Sequence, residues 1–483
     1  MAAKVTSRVT VLGGGISGLS AAYYLAKNHK DPSKITLVES SPRFGGWLHS
    51  VRAESGAIFE QGPRSLRPVG PAGWEALNLA SELGLEKMII PVSSSHAGAR
   101  NRFIYSKGQV HKLPSSIASI VKRQSLFSGS LLPILLREPF VKRWTDESDE
   151  SVYDFFKRRL SKEVAEYLGD PICRGIFAGD ARLLSLRSVF PPVYEMEKSH
   201  GSVVKAAILP GKSSSPAPDN HPLVQRSIQE KWSIWSLQGG IQTFADKLHE
   251  SLVHMGVNVL SETPCHAIEF KDNGSVFSRT DSKDIVSDHL VSTLSAGLLS
   301  SVLPDSLQPL KNILNEIKSV SVGLVNLEYK GNMIQDEGFG ILLPSSEPVN
   351  ILGIIYDSCV FPQHDRNDGN HTRLTIMMGG HWFDKHCGNP DTVAPQSLTD
   401  NAVKAVNKIL GITQEPVYHL SSVQKNCISQ YHIGHTDRVQ KIFDYVQRNN
   451  LPLTLLGASY KGVSVNDCIY NAKISVEEML EKL

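Results

Sequence analysis

Gly13, Gly15 and Gly18 stand in the pattern Gly-x-Gly-x-x-Gly, with Gly14, Ile16 and Ser17 between them, and Glu39 follows 21 residues after the last glycine. Residues of these types at this spacing bind a dinucleotide. Gly13 permits a tight turn, Gly15 lets main chain approach a pyrophosphate, Gly18 lets a helix pack closely, and Glu39 accepts from ribose hydroxyls. A helix opening after Ser17 turns free N–H groups and the positive end of its dipole toward the phosphates. A glycine triplet alone is common in loops; its neighbours make it specific here. Residues 8–12 (RVTVL) are a β-branched run, an Ala/Leu-rich helical pattern extends to about Asn28, and residues 35–39 (ITLVE) are a second apolar run closed by the acid. No second such pattern follows a strand, so no nicotinamide site is evident.

Arg43, Gly45, Gly46 and Trp47 extend this unit with a cation and a second glycine pair near the same phosphates. The extension resembles the ExxxxxGG element of FAD-binding, amine-oxidase-type flavoproteins. GAIFEQGPRSLRP (residues 56–68) is then a short strand running into a glycine-proline turn, where Arg64 offers a fixed cation to the cofactor or to structural carboxylates. Arg102 is a lone cation in an apolar strand, NRFIY (101–105), followed by a Lys107-Gly108 turn. Asn466 and Asp467 mark the cap of a last helix starting near Val465, a second helix N-terminus aimed at an anion or carbonyl. The six cysteines, Cys173, Cys265, Cys359, Cys387, Cys427 and Cys468, form no CxxC, and the 17 histidines no HExxH, so no metal site is expected.

Positioning these residues takes several elements. At 483 residues, two or three domains are expected. A 41% hydrophobic and 20% charged content is that of an ordinary folded protein, and a net charge of +2 excludes nucleic-acid binding driven by bulk charge. The fold class expected is α/β. Residues 1–90, 212–300 and 431–483 are assigned to a Rossmann-like FAD-binding domain built from non-contiguous segments, with residues 212–221 (KSSSPAPDNH) a linker. Residues 301–430 are assigned to a mostly antiparallel β substrate domain, on four strands read in VSVGLVNLEY, GFGILLP, ILGIIYDS and RLTIMMGG. Residues 91–211 are assigned to an inserted helical, membrane-associated, substrate-entry domain. Within it, residues 148–168 have helical periodicity that CRGIFAGD ends in a glycine-rich turn. Residues 115–144 differ in composition: Leu126–Leu136 is strongly apolar, broken by Gly129 and Pro133, and framed by Lys122, Arg123, Arg137, Lys142 and Arg143 against Glu138. Such a segment suits a membrane interface or the mouth of an apolar channel; a core helix pair with solvated ends is the other reading. No run reaches 18 apolar residues, and no room for a cleaved presequence precedes the first strand.

The blocks GGGISGL, ESSPRFGGW, GAIFEQGPRSLRP, NRFIY, CRGIFAGD, WSLQGG, GFGILLP and GASYKGVSVNDC, in this order, resemble the protoporphyrinogen oxidase family of animal mitochondria, within the FAD-dependent amine-oxidase-like flavoproteins. The resemblance implies oxidation of protoporphyrinogen IX to protoporphyrin IX by oxygen in haem biosynthesis, six electrons in three flavin cycles with hydrogen peroxide as product. It implies one FAD per chain. FAD would be non-covalent, because residues 430–435 (QYHIGH) lack the tethering cysteine of some relatives. Carried over by motif, Gly13, Gly14, Gly15, Ile16, Ser17 and Gly18 hold the pyrophosphate and Glu39 the ribose. Trp47 with Gly62, Pro63, Arg64 and Ser65 lines the isoalloxazine, Cys265 faces the adenine, and Ala458, Val463, Ser464 and Val465 complete the cradle. On the substrate side Arg102 pairs a propionate, Phe339, Leu342, Ile355 and Met377 clamp the macrocycle, and Arg174 and Gly175 sit at the pocket edge. Flavin N5 is the hydride acceptor, and no side-chain base is assigned. A homodimer is implied, peripheral on the mitochondrial inner membrane, handing product to ferrochelatase. Two rivals remain at this point: another amine- or carotenoid-type oxidase, which would need an aromatic cage, and a non-catalytic, flavin-containing tetrapyrrole carrier.

Overall fold

The computed structural model describes residues 6–114, 124–144, 148–209, 220–366 and 369–482. Lys122, Arg123 and most of the expected linker lie outside the described residues.

The N-terminal run forms the central strand of a five-stranded parallel sheet. Val9–Leu12 pairs in register with Ile35–Val38 on one side and His289–Ser292 on the other, and Asn258–Leu260 and Leu453–Leu455 complete the edges. All four residues of Val9–Leu12 are buried, as a parallel strand covered on both faces requires. The helix Ile16–Asn28 buries Leu19, Ala21, Ala22 and Leu25 and packs against the C-terminal helix Val465–Leu480.

A seven-stranded sheet forms the second layer. Its order is Tyr418–Ser429, Ser319–Lys330, His371–Gly379, Gly353–Tyr356, Gly340–Leu342, Phe103–Ser106 and Gln109–Lys112. Every pair is antiparallel except Gly340–Leu342 beside Phe103–Ser106, which run parallel. Strand alternation divides its residues cleanly. Val325, Leu327, Ile341, Ile354 and Ile376 pack on one face with Leu398, Ala402 and Val406 of the helix Pro395–Leu410. Leu324, Leu342, Gly353 and Met377 lie in register across the other face, as do Asn326, Ile355 and Thr375.

Three local expectations differ. Arg102 precedes its strand, which is Phe103–Ser106. Cys173 to Phe177 continue the helix Asp170–Phe177, which ends where Ala178 turns left-handed at φ 49°. Tyr418–Ser429, a 12-residue strand, adds an edge to the sheet. Between residues 124 and 209 the chain is mainly short helices around a buried ion pair. Arg159 Nε donates to Glu138 at 2.7 Å, and Glu138 also accepts from the main-chain N–H groups of Val203 and Val204 at 3.0 and 3.1 Å.

The helix Gln242–His254 has no side-chain cap of its own. The hairpin Ser50–Arg52/Ile58–Glu60 supplies one: Glu60 accepts from Ile241 N–H at 2.8 Å and from Ser50 Oγ at 2.7 Å, and Ser50 Oγ accepts from Gln242 N–H at 3.1 Å. Burial pushes the Glu60 carboxyl up from its ordinary 4.5 to about 7. The folded state therefore holds a proton that the unfolded chain has released, so this contribution to stability is present in full below about 4.5 and is lost as pH rises through about 7. Glu60→Gln should raise the melting temperature relative to wild type at pH 8 and by much less at pH 5. A difference independent of pH would show that Glu60 does not titrate in this window.

Candidate cofactor and substrate site

The glycine turn meets its first requirement within the protein itself. Gly13 has φ +101°, and a Cβ on Gly18 would come within 1.8 Å of the Gly13 carbonyl oxygen. Thr293 Oγ1 closes the turn from the neighbouring strand, donating to Leu12 O at 2.8 Å. Gly15 differs: a Cβ there would meet nothing nearer than Gly46 Cα at 3.8 Å. It is the N-cap of Ile16–Asn28 and supplies no side-chain bond, so the N–H groups of the first turn keep no capping partner. An open approach, bare N–H groups and a helix dipole fit the pyrophosphate of FAD.

Around this turn the second glycine pair is held by main chain. Gly45 N–H donates to Gly14 O at 2.8 Å. The Arg43 guanidinium donates to the carbonyls of Gly46 at 2.6 Å, Leu48 at 2.9 Å and Phe44 at 3.0 Å, so this arginine shapes the loop. Glu39 accepts from Gly14 N–H at 2.7 Å through one oxygen and from Ser41 N–H at 2.8 Å through the other, which fixes the carboxylate for a ribose. Thr263 N–H donates to Glu39 O at 2.9 Å, and Cys265 begins its strand two residues on, its thiol pushed up to about 11 by burial. Ser464 is the N-cap of Val465–Leu480 and forms a capping box with Asp467. Ala458 O accepts from Tyr431 Oη at 2.7 Å, and the Tyr431 ring stacks on His435 at 3.9 Å.

The Gly62-Pro63-Arg64-Ser65 turn packs on Trp47, whose carbonyl oxygen would lie 2.2 Å from a Cβ on Gly62. Of the two roles open to Arg64, the structure gives the structural one: its guanidinium donates to Asp357 at 2.5 Å, both side chains being buried. Asp357 accepts from Thr375 Oγ1 at 2.6 Å, Asn326 Nδ2 donates to Thr375 at 2.8 Å, Gln61 donates to Asn326, and Ser422 donates to Gln61 at 2.9 Å. This chain crosses the sheet face that carries Leu342, Ile355 and Met377. None of Asp357, Asn326 and Thr375 was a candidate from sequence, although Asp357 closes the ILGIIYDS block.

At the far end of that face Arg102 donates to Ala99 O at 2.6 Å and Asn101 O at 3.2 Å, with its guanidinium 4.4 Å from the centre of the Phe339 ring. No carboxylate pairs with it among the described residues. Burial, and then the charge of Arg67, lower its pKa to about 10, so it remains a cation at neutral pH. Leu342 fits against Gly175, where a Cβ would meet its methyl at 2.5 Å. Arg174 is buried, donates to Ile351 O at 3.0 Å and lies 4.3 Å from the Trp382 ring, which packs with Met377. The structure places Leu342, Ile355 and Met377 on one sheet face, with Gly175 against Leu342 and Arg174 on the unforeseen Trp382 beside Met377, while Arg102 and Phe339 meet each other just before the strands Phe103–Ser106 and Gly340–Leu342. A cavity of about 570 Å³ lined by Trp144, Asp149, Asp154 and Arg158 lies elsewhere, and its mixed charges do not suit an apolar macrocycle.

The flavin containing amine oxidoreductase family matches residues 16–480. The chain is 41% identical to the protoporphyrinogen oxidase of Bos taurus and 40% identical to that of Homo sapiens, in each case over 98% of both chains. Its fold is similar to that of a solved protein of Exiguobacterium sp. 255-15, with a TM-score of 0.79, 22% identity and complete coverage of both chains. The chain belongs to the flavin containing amine oxidoreductase family, among its protoporphyrinogen oxidases, and is an FAD-dependent oxidoreductase.

Proposed function

We propose that the chain oxidises protoporphyrinogen IX to protoporphyrin IX in haem biosynthesis, with oxygen as acceptor, six electrons leaving in three two-electron passes and hydrogen peroxide as product. The observation that carries this reading is Arg102, a half-buried cation with no carboxylate partner among the described residues, at the end of a sheet face joined to the Gly62–Ser65 turn by the Arg64–Asp357 chain. Bound FAD supplies a two-electron acceptor. Arg102 holds a propionate, and Phe339 with the carbonyls of residues 99 and 101 keeps its guanidinium in place. Leu342, Ile355 and Met377 offer the apolar floor that a macrocycle needs, and Arg174 on Trp382 stiffens its edge. The glycine turns and Glu39 hold the dinucleotide, while Trp47, Pro63, Ser65, Cys265 and residues 463–465 line it.

The same reading extends to organisation. Residues 1–90, 212–300 and 431–483 serve the cofactor and 301–430 the substrate; of 91–211, the strands Phe103–Ser106 and Gln109–Lys112 join the substrate sheet, and the mainly helical remainder touches a membrane peripherally. Among the described residues no helix is long and apolar enough to cross a membrane. Leu136, Phe140, Ile208 and Leu209 are exposed, however, and the helix Val203–Ile208 packs on the turn Glu138–Phe140, next to exposed Lys142 and Arg143. An apolar patch beside cations suits an anionic lipid surface. The inner mitochondrial membrane, a homodimer and delivery of product to ferrochelatase belong to this proposal.

Acid precipitation of the yellow protein should release FAD; flavin left in the pellet, or FMN in the supernatant, would overturn a non-covalent FAD. Gly15→Val should fold with a near wild-type melting temperature yet retain no flavin, because the space it fills is the cofactor's. Gly18→Ala should lose both, since its methyl meets the Gly13 carbonyl. Flavin retention by Gly15→Val would remove the pyrophosphate from this turn.

Arg102→Ala should lower kcat/KM by roughly ten- to a few-hundred-fold, the range of a lost charge-assisted bond in a dry site, with flavin content intact. Lysine should rescue only partly, lacking the planar fork. A variant that unfolds, or equal penalties for free acid and propionate ester, would deny Arg102 the carboxylate. With wild type, flavin that stays oxidised after anaerobic addition of protoporphyrinogen would mark a carrier instead.

Leu136→Asp combined with Phe140→Asp should move the protein from a membrane pellet to the supernatant while activity in detergent survives, since each apolar side chain withdrawn contributes roughly 1.5–3 kcal/mol. An unchanged pellet fraction would return this segment to a core helix pair with solvated ends.

A further inference from the structure

Arg67 is the second arginine of the turn that carries Arg64, and the functions above leave it unused. The two are opposites: Arg64 is buried and bound to Asp357, whereas Arg67 is exposed and, among the described residues, its side chain meets no acid or hydrogen-bond acceptor. Its backbone is nonetheless fixed. The Arg67 carbonyl accepts from Asn466 Nδ2 at 2.7 Å, at the start of the helix Val465–Leu480, and a Cβ on Gly73 would come within 2.4 Å of the same oxygen. Leu66 exchanges both main-chain bonds with Trp235 at 2.9 Å. Ile234, the next residue on that strand, packs with Ala99 and with Phe339, the ring on which Arg102 rests. Arg67 is therefore anchored between the flavin cradle and the Arg102 platform. Its charge reaches Arg102 strongly enough to help depress that residue's pKa.

Two cations anchored on adjoining elements, with no carboxylate paired to either among the described residues, repel, and an incoming dianion relieves the repulsion that a monoanion relieves only in part. We propose that Arg67 is a second carboxylate-binding residue, acting with Arg102 so that the site selects a substrate carrying two neighbouring carboxylates over one carrying a single carboxylate. This inference rests on reading the site as one for a carboxylate-bearing tetrapyrrole.

The test is a fluorescence titration of the FAD-loaded enzyme with protoporphyrin IX as the free diacid, the monomethyl ester and the dimethyl ester, using wild type, Arg67→Ala, Arg67→Lys, Arg102→Ala and the double variant. Arg67→Ala should weaken diacid binding about three- to tenfold, as expected of an exposed to half-exposed charged contact, and leave the dimethyl ester unchanged. Arg67→Lys should recover most of the loss. The two alanine substitutions should be non-additive on the diacid, because one dianion bridges both cations. Equal losses on diacid and dimethyl ester, flavin shed from Arg67→Ala, or strict additivity would overturn the proposal. Wild type that binds diacid and dimethyl ester alike while still oxidising the porphyrinogen would overturn it and leave the function standing. Wild type that neither binds nor oxidises any tetrapyrrole would overturn both.

Discussion

The ion pair between Arg64 and Asp357 makes the dinucleotide turn and the substrate sheet one object. Both side chains are almost fully withdrawn from water, with 8% and 10% of their surface exposed. Breaking such a pair from one side strands a charge in a dry site, at a cost typically of about 3–5 kcal/mol. From Asp357 the hydrogen-bonded chain runs through Thr375, Asn326 and Gln61 to Ser422, so three adjacent strands of the large sheet are held in register against the Gly62-Pro63-Arg64-Ser65 turn. The turn and the sheet are thereby held to one another by buried polar contacts, which are more directional than apolar packing.

The glycines of the first turn answer to two different authorities. Gly18 is demanded by the protein, because the Gly13 carbonyl already fills the space of a side chain there. Gly15 is demanded by what binds, because the protein leaves that space free. The same distinction separates the arginines. Arg43 and Arg64 spend their donors on backbone carbonyls and a buried carboxylate, and are structural; Arg102 donates to the Ala99 and Asn101 carbonyls through one guanidinium nitrogen.

Much of this was legible because it is local. The glycine spacing, the acid and the β-branched runs lie within 40 residues, and the turn that joins Phe103–Ser106 to Gln109–Lys112 is a Lys107-Gly108 pair with φ of 54° and 77°, as a tight two-residue hairpin needs. What was missed depends on partners remote in sequence. Asp357 could not be matched with Arg64 because 293 residues separate them. Tyr418–Ser429 is an edge strand whose residues are mostly half-exposed, so its polar mixture of Ser421, Ser422, Gln424 and Lys425 hides a strand period. Cys173 to Phe177 looked like a turn because Gly175 sits among them, but that glycine makes room for Leu342 and the helix continues through it.

The strand pairing sets the order in which the molecule can be made. Val9–Leu12 lies between Ile35–Val38 and His289–Ser292, and Leu453–Leu455 pairs beyond that; Phe103–Ser106 lies beside Gly340–Leu342. Apart from the pairing with Ile35–Val38, these closures join segments far apart along the chain, and such contacts form slowly because the intervening loop must first be ordered. On a ribosome, the backing that Thr293 gives to Gly13 cannot exist until most of the polypeptide has emerged. The nascent chain therefore carries unpaired strand edges for much of its synthesis, a state prone to aggregation and to chaperone capture. The dinucleotide turn is consequently complete only once the chain beyond residue 293 has been made.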